Sequence, residues 1–183
     1  MARCGKTRFS VCRIQLVEAV PTDATLRALA ESVGEMLRER RQVLATGESC
    51  TGGWIAKLLT DIAGSSGWFE GAAVTYGNDA KQALLGVGAG TLKRHGAVSR
   101  NTALEMVQGV VAGFGASVAV AVTGIAGPGG GTRDKPVGTV WIAWQRRGGQ
   151  ARAEEFRFAG DRDAVRRRTV AAALRGIEKI LVS

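Results

Sequence analysis

At 183 residues, with 45% hydrophobic and 22% charged side chains, the chain has the size and composition of one globular domain able to bury a sizeable core. No apolar run approaches the roughly 18 residues of a membrane span, which argues against a membrane partner. The net charge of +9 raises nucleic acid as a partner, but one Tyr and five Phe leave little for base stacking. The positive charge concentrates in the N-terminal tail, Arg38/Arg40/Arg41, Arg146/Arg147 and Arg162/Arg166/Arg167/Arg168, which small anionic substrates or solvated helix faces explain as well, so nucleic acid is not the expected ligand.

Residues 1–20 carry Arg3, Lys6, Arg8 and Arg13 without the continuous apolar stretch of a secretory signal. They read as a basic, poorly ordered extension ahead of a single domain at 21–183. Cys4, Cys12 and Cys50 with one histidine make neither a disulfide framework nor a zinc set. Reduced thiols in a cytoplasm, with no metal, are the expectation.

Leu26, Leu29, Ala30, Val33 and Leu37 fall at helical spacing and predict a helix over 24–40. A strand at 42–47 and a helix at 51–62 follow, with Gly64 as the stop. Residues 69–76 read as a second strand, 79–85 as a short helix closed by Gly86, and Ser99 as the N-cap of a helix over 100–114. The continuous apolar run at 118–122 marks a strand buried on both faces. A glycine-rich loop spans 124–131, a hairpin joins strands at 137–146 and 152–158, and a last helix covers about 161–181. Alternating helices and strands predict a three-layer α/β/α sandwich with a mixed, mostly parallel sheet. The four tryptophans are expected in the core, with Trp141 and Trp144 on opposite faces of a strand.

The segment 46–54, Thr-Gly-Glu-Ser-Cys-Thr-Gly-Gly-Trp, is the densest in chemistry. Strand, turn and helix in that order would put Ser49 and Cys50 at a helix N-terminus, where free N–H groups favour an anion or an oxyanion. It is not a phosphate loop, which needs Lys-Ser/Thr after the second glycine, nor a Gly-x-Ser-x-Gly elbow, because Thr51 replaces the last glycine. Ser49 would need a base, and a desolvated Lys81 assisted by Tyr76 is one candidate; a solvated lysine is the plainer reading. Cys50 with His95 is the competing nucleophile and base. Glu48 either binds a substrate hydroxyl, orients Ser49 or satisfies local N–H groups. The loop 124–131 either wraps an anion or connects two strands. Arg162 and Arg166, one helical turn apart, either hold a phosphate or pair with Asp161, Asp163 or Glu154.

In sequence order, the stretches Glu48–Gly53, Asp61–Ser66, Val74–Tyr76 with Asn78 and Lys81, His95–Ser99, Thr123–Pro128, Lys135–Val140 and Gly160–Arg166 resemble the C-terminal domain of the competence-induced CinA family. The resemblance covers about residues 24–181. It implies hydrolysis of the carboxamide of nicotinamide mononucleotide, a salvage step that needs no cofactor, with Ser49 as nucleophile and Lys81 and Tyr76 completing the catalytic set. The small nucleotide is then expected against Glu48, Cys50, Thr51, Gly52, Gly53 and Asn78. Thr123, Gly124, Ala126, Gly127, Arg162 and Arg166 are expected to touch it too, with the Gly124–Gly131 loop and Arg162 or Arg166 holding the ribose phosphate. The chain is too short for the extra pyrophosphatase-linked domain of longer members. A homodimer is expected, and a silent or regulatory protein linked to competence and nucleic acid is the alternative.

Overall fold

A computed structural model of the chain describes residues 19–182, so the extension expected at 1–20 lies, but for Ala19 and Val20, outside the described residues. Five strands, β1 (Leu44–Glu48), β2 (Phe69–Val74), β3 (Val118–Gly124), β4 (Thr139–Arg146) and β5 (Arg152–Arg157), form one sheet in the order β2-β1-β3-β4-β5. β1 pairs in parallel with β2 and β3, and the β3–β4 and β4–β5 pairs are antiparallel. The sheet is therefore mixed, and β4 alone runs against the other four strands.

Helices α1 (Asp23–Glu39), α2 (Trp54–Thr60) and α6 (Arg162–Val182) cover one face; α3 (Asn78–Leu85), α4 (Ala89–His95) and α5 (Arg100–Phe114) cover the other. This is the expected α/β/α sandwich. The three long helices start on side-chain caps, which satisfy N–H groups that the helix itself cannot. Thr22 Oγ1 accepts from Thr25 N at 3.2 Å, Ser99 Oγ from Thr102 N at 3.2 Å, and Asp161 Oδ1 from Ala164 N at 2.9 Å.

The alternation along β3 sets the two layers. Val118, Val120 and Val122 point to the α1/α6 layer with Leu44, Val140, Ile142 and Trp144, each such side chain contributing about 1.5–3 kcal/mol on burial. Ala119 and Ala121 point the other way with Ala45 and Ala143. Small residues on that face let α5 approach closely: a Cβ on Gly47 would lie 2.8 Å from Val110 Cγ2. α5 in turn meets the end of α3, where a Cβ on Gly109 would sit 2.0 Å from the Leu85 carbonyl oxygen. This contact fixes the helix that carries Lys81.

Most expected elements form, several with ends moved by one or two residues, and three further differences matter. The second helix begins at Trp54 rather than 51, because Gly52 and Gly53 adopt φ of 62° and 90°, which the right-handed helix cannot include. The loop expected from residue 124 begins one residue later, since Gly124 pairs with Val140 at the end of β3. A short helix, α4, lies in a stretch that carries no helical apolar pattern. Trp141 and Trp144 do face opposite sides of the sheet, and Trp68 and Trp144 are buried. Trp54 departs from the core expectation: it is half-buried, with the Arg166 and Arg167 guanidinium carbons 4.9 and 5.1 Å from its ring centroid.

Candidate active site

β1, β2 and β3 run in the same direction, so their C-terminal ends open at one edge of the sheet, where open α/β folds bind ligands. Ser49 follows β1 directly and its backbone N–H donates to Val122 O at 3.1 Å, across to β3. Tyr76 lies two residues beyond β2, and Lys81 lies in the first turns of α3. The strand ends thus bring side chains 32 residues apart into contact: Lys81 Nζ donates to Ser49 Oγ at 3.0 Å.

The amine of Lys81 is almost wholly buried, at 1% exposure. Its other donors go to the carbonyl oxygens of Thr75 at 2.7 Å and Tyr76 at 3.3 Å. Burial pushes its pKa below the ordinary 10.5, and a charged Cys50 would oppose that shift. Cys50 carries no such charge at neutral pH. Burial, with Glu48 adding to it, pushes that thiol up to about 12 against the help of its own backbone N–H, Arg166 and Lys81. Were Lys81 neutral, its two N–H groups on the two carbonyls would leave its lone pair free to face the Ser49 hydroxyl.

Ser49, Cys50, Tyr76, Lys81, Thr123, Gly124, Ala126 and Arg162 line a cleft of about 210 Å³, together with Ala97 and Val98. Thr123 is held by donation to Ala97 O at 2.9 Å. Arg162 donates from Nη1 to Gly127 O at 2.8 Å and from Nη2 to the Tyr76 hydroxyl at 2.9 Å. Tyr76 is 62% exposed; it touches Lys81 through its backbone carbonyl while its phenol stands with Arg162 at the mouth.

Other expected site residues stand off the cleft wall. Glu48 is fully buried and accepts from Ile55 N at 3.1 Å, Ala56 N at 2.8 Å and Thr51 Oγ1 at 2.7 Å. Its carboxylate thus occupies the N-terminus of α2. This corrects the expectation that this helix end serves an anion beside Ser49: the site is already filled by the chain's own carboxylate, and the helix begins five residues after Ser49. Of the readings open for Glu48, satisfaction of local N–H groups is the one these bonds describe. Thr51 is buried behind it, and Gly52 and Gly53 form the bend. Asn78 is exposed at the start of α3.

Arg166 donates from Nη2 to Thr51 O at 2.7 Å. Neither it nor Arg162 takes a carboxylate partner among the described residues; Asp163 pairs with Arg167, and Asp161 caps α6. His95 ends α4 away from the cleft wall, and its carbonyl accepts from Lys135 Nζ at 2.8 Å. Two residues that sequence reasoning did not single out, Ala97 and Val98, complete the wall; small and apolar, they carry no chemical signal. Among the described residues no group of three or more His, Cys, Asp or Glu is placed to hold a metal ion, and no helix is long and apolar enough to cross a membrane.

The chain is similar to known proteins in sequence and in fold. The nicotinamide-nucleotide amidohydrolase PncC of Escherichia coli (strain K12) is 51% identical over 153 residues, covering 84% of this chain and 93% of that protein. The protein of the same name from Pseudomonas putida is 49% identical, covering 83% of this chain and 94% of its own length. The crystal structure of the competence/damage inducible protein CihA from Agrobacterium tumefaciens superposes with a TM-score of 0.83 at 45% identity, over 86% of this chain and 96% of that one. The family model described as the CinA C-terminal domain matches residues 26–181, the whole sandwich from α1 to α6, and the chain belongs to that family.

Proposed function

We propose that the protein is a cytoplasmic nicotinamide-nucleotide amidase that converts nicotinamide mononucleotide to nicotinate mononucleotide and ammonia, a step of pyridine-nucleotide salvage. Its likeness to amidohydrolases of that name over nearly their whole length supports the substrate. One observation carries the chemistry: the buried Lys81 amine lies 3.0 Å from Ser49 Oγ in a cleft, with two carbonyls fixing its direction.

In this reading neutral Lys81 takes the Ser49 proton as Oγ bonds to the carboxamide carbon and the carbonyl π pair moves onto oxygen. N–H groups of the turn after Ser49 receive that oxyanion, an effect worth about 10²–10³ in rate per donor in other hydrolases. The Lys81 ammonium then protonates the departing nitrogen, and ammonia leaves an acyl-serine. Water, giving a proton to Lys81, attacks the ester carbon, and the proton returns to Ser49 as nicotinate mononucleotide departs. Tyr76 orients Lys81 through its carbonyl. Arg162, with three of its five N–H donors outside its two bonds to Gly127 and Tyr76, receives the phosphate.

Ammonia release from nicotinamide mononucleotide by wild type, Ser49→Ala and Cys50→Ala tests this. Ser49→Ala is expected to lose at least about 10³ in kcat, with Cys50→Ala active. Loss in Cys50→Ala alone removes Ser49 as nucleophile. A silent wild type that binds DNA in a salt-dependent way supports a regulatory protein instead.

A further inference from the structure

The expected phosphate ligand Arg166 has a different set of contacts from Arg162. Its Nη2 donates to Thr51 O at 2.7 Å, its guanidinium lies over Trp54, and its Nε is buried without a hydrogen-bond partner. It lines no part of the cleft.

Thr51 O belongs to the peptide unit between Thr51 and Gly52. The other end of that unit, Gly52 N–H, donates to Ser49 O at 3.1 Å. A planar trans unit bonded at both ends cannot rotate without breaking one bond. Ser49 O in turn belongs to the Ser49–Cys50 unit, whose own N–H points opposite to its C=O. Thr51 O also accepts from Trp54 N–H at 3.3 Å, so Arg166, through the shorter bond, sets together with Trp54 and through two planar amides the direction of the Cys50 N–H next to Ser49. On the other side Thr51 Oγ1 donates to Glu48, so α6 and the buried carboxylate hold the turn between them.

We propose that Arg166 is a positioning residue that orients the Ser49–Cys50 peptide for catalysis and does not bind the substrate phosphate. The inference rests on Ser49 being the nucleophile, as proposed above. Its Nη2 bond to Thr51 is short and direct, whereas a phosphate ligand would need its guanidinium edge presented to the cleft.

Arg166→Met, which keeps an apolar stem against Trp54, and Arg166→Lys, which keeps one donor, are compared with wild type in three measurements. The first is steady-state turnover of nicotinamide mononucleotide. The second is the rate at which a fluorophosphonate probe labels Ser49, which is independent of the natural substrate. The third is hydrogen exchange of the peptide covering 49–56. Arg166→Met is expected to lower kcat and labelling about tenfold to a hundredfold, with KM within about twofold of wild type. Exchange should quicken in 49–56 and stay unchanged in β3, and Arg166→Lys should recover part of each loss.

A many-fold rise in KM with kcat and labelling intact would make Arg166 a phosphate ligand and overturn the proposal. Unchanged exchange and labelling would do so as well. Normal labelling of a wild type that is inert towards the mononucleotide would overturn the substrate reading alone, and the effect of Arg166 would still be read from labelling and exchange.

Discussion

Lys81 reaches Ser49 from a position closed to solvent, and among the described residues no carboxylate pairs with it. An ammonium there gives up its hydration for two carbonyls and a hydroxyl, which is why its pKa falls. Between that lowered value and the 10.5 of the unfolded chain, the folded protein binds fewer protons than the unfolded one. Stability therefore rises with pH across this window and falls as pH drops through it.

In the proposed mechanism the same shift would shape catalysis. A base must be neutral, so kcat/KM for ammonia release should climb with pH along a limb centred below 10.5, set by Lys81. Lys81→Arg, which stays charged at all working pH, should lose at least about 10³ in kcat. A limb centred at or above 10.5, or an active Lys81→Arg, removes Lys81 as the base.

Cys50 lies next to Ser49 and borders the same cleft, so the competing nucleophile must be judged on charge. With its pKa near 12, roughly one thiol in 10⁴ is ionised at pH 8, far too few for a cysteine nucleophile. Cys50→Ala is expected to keep activity within about threefold and to leave the pH profile unchanged. Rapid loss of activity with iodoacetamide, prevented by Cys50→Ala, would reverse this assignment.

Glu48 couples the turn to the fold. Its carboxylate accepts two α2 amides and the Thr51 hydroxyl, and removing it strands buried donors at about 1–3 kcal/mol each. Glu48→Ala should therefore lower Tm by roughly 6 °C or more for a chain of this size, and Glu48→Gln, which keeps one acceptor oxygen, by less. Calorimetry that finds Glu48→Ala as stable as wild type would show that α2 needs no internal carboxylate.

The architecture was readable because its signals are local. An unbroken apolar run makes β3, a 3.6-residue stripe makes α1, and Ser99 announces α5. The boundaries moved where glycine backbone angles, invisible in residue types, took control, as at Gly52 and Gly53. α4 escaped notice because its seven residues, three of them Lys93, Arg94 and His95, bury little beyond Thr91. In the site, residue types nominated Ser49 and Lys81, but only strand order places them 3.0 Å apart. Spacing put Arg162 and Arg166 one turn apart and could not show that only Arg162 borders the cleft while Arg166 turns to the Thr51 carbonyl.

Gly109 links packing to chemistry. Its missing Cβ admits the Leu85 carbonyl at the end of α3, and backbone cannot step aside as a flexible side chain can. Gly109→Ala gains roughly 1 kcal/mol of helix propensity but incurs about 1–3 kcal/mol or more of overpacking. It should lower Tm, and by displacing α3 it should also lower kcat through Lys81. A variant more stable than wild type would mean that α3 and α5 separate at no cost.

Of the two arginines, Arg162 has the geometry that suits the proposed substrate. It borders the cleft, is steadied by Gly127 O and Tyr76 Oη, and keeps donors for a phosphate, which guanidinium binds through parallel N–H groups. Arg162→Gln should raise KM for nicotinamide mononucleotide by about tenfold to a hundredfold, since hydrogen bonds to charged groups contribute about 1.5–3 kcal/mol. For nicotinamide riboside, which lacks the phosphate, wild type and Arg162→Gln should have matching KM values. Tyr76→Phe should act in the same direction and more weakly, because the phenol only steadies the guanidinium. Equal losses on both substrates would place Arg162 at the reacting amide instead, and an unchanged KM on both would leave the phosphate to another cation.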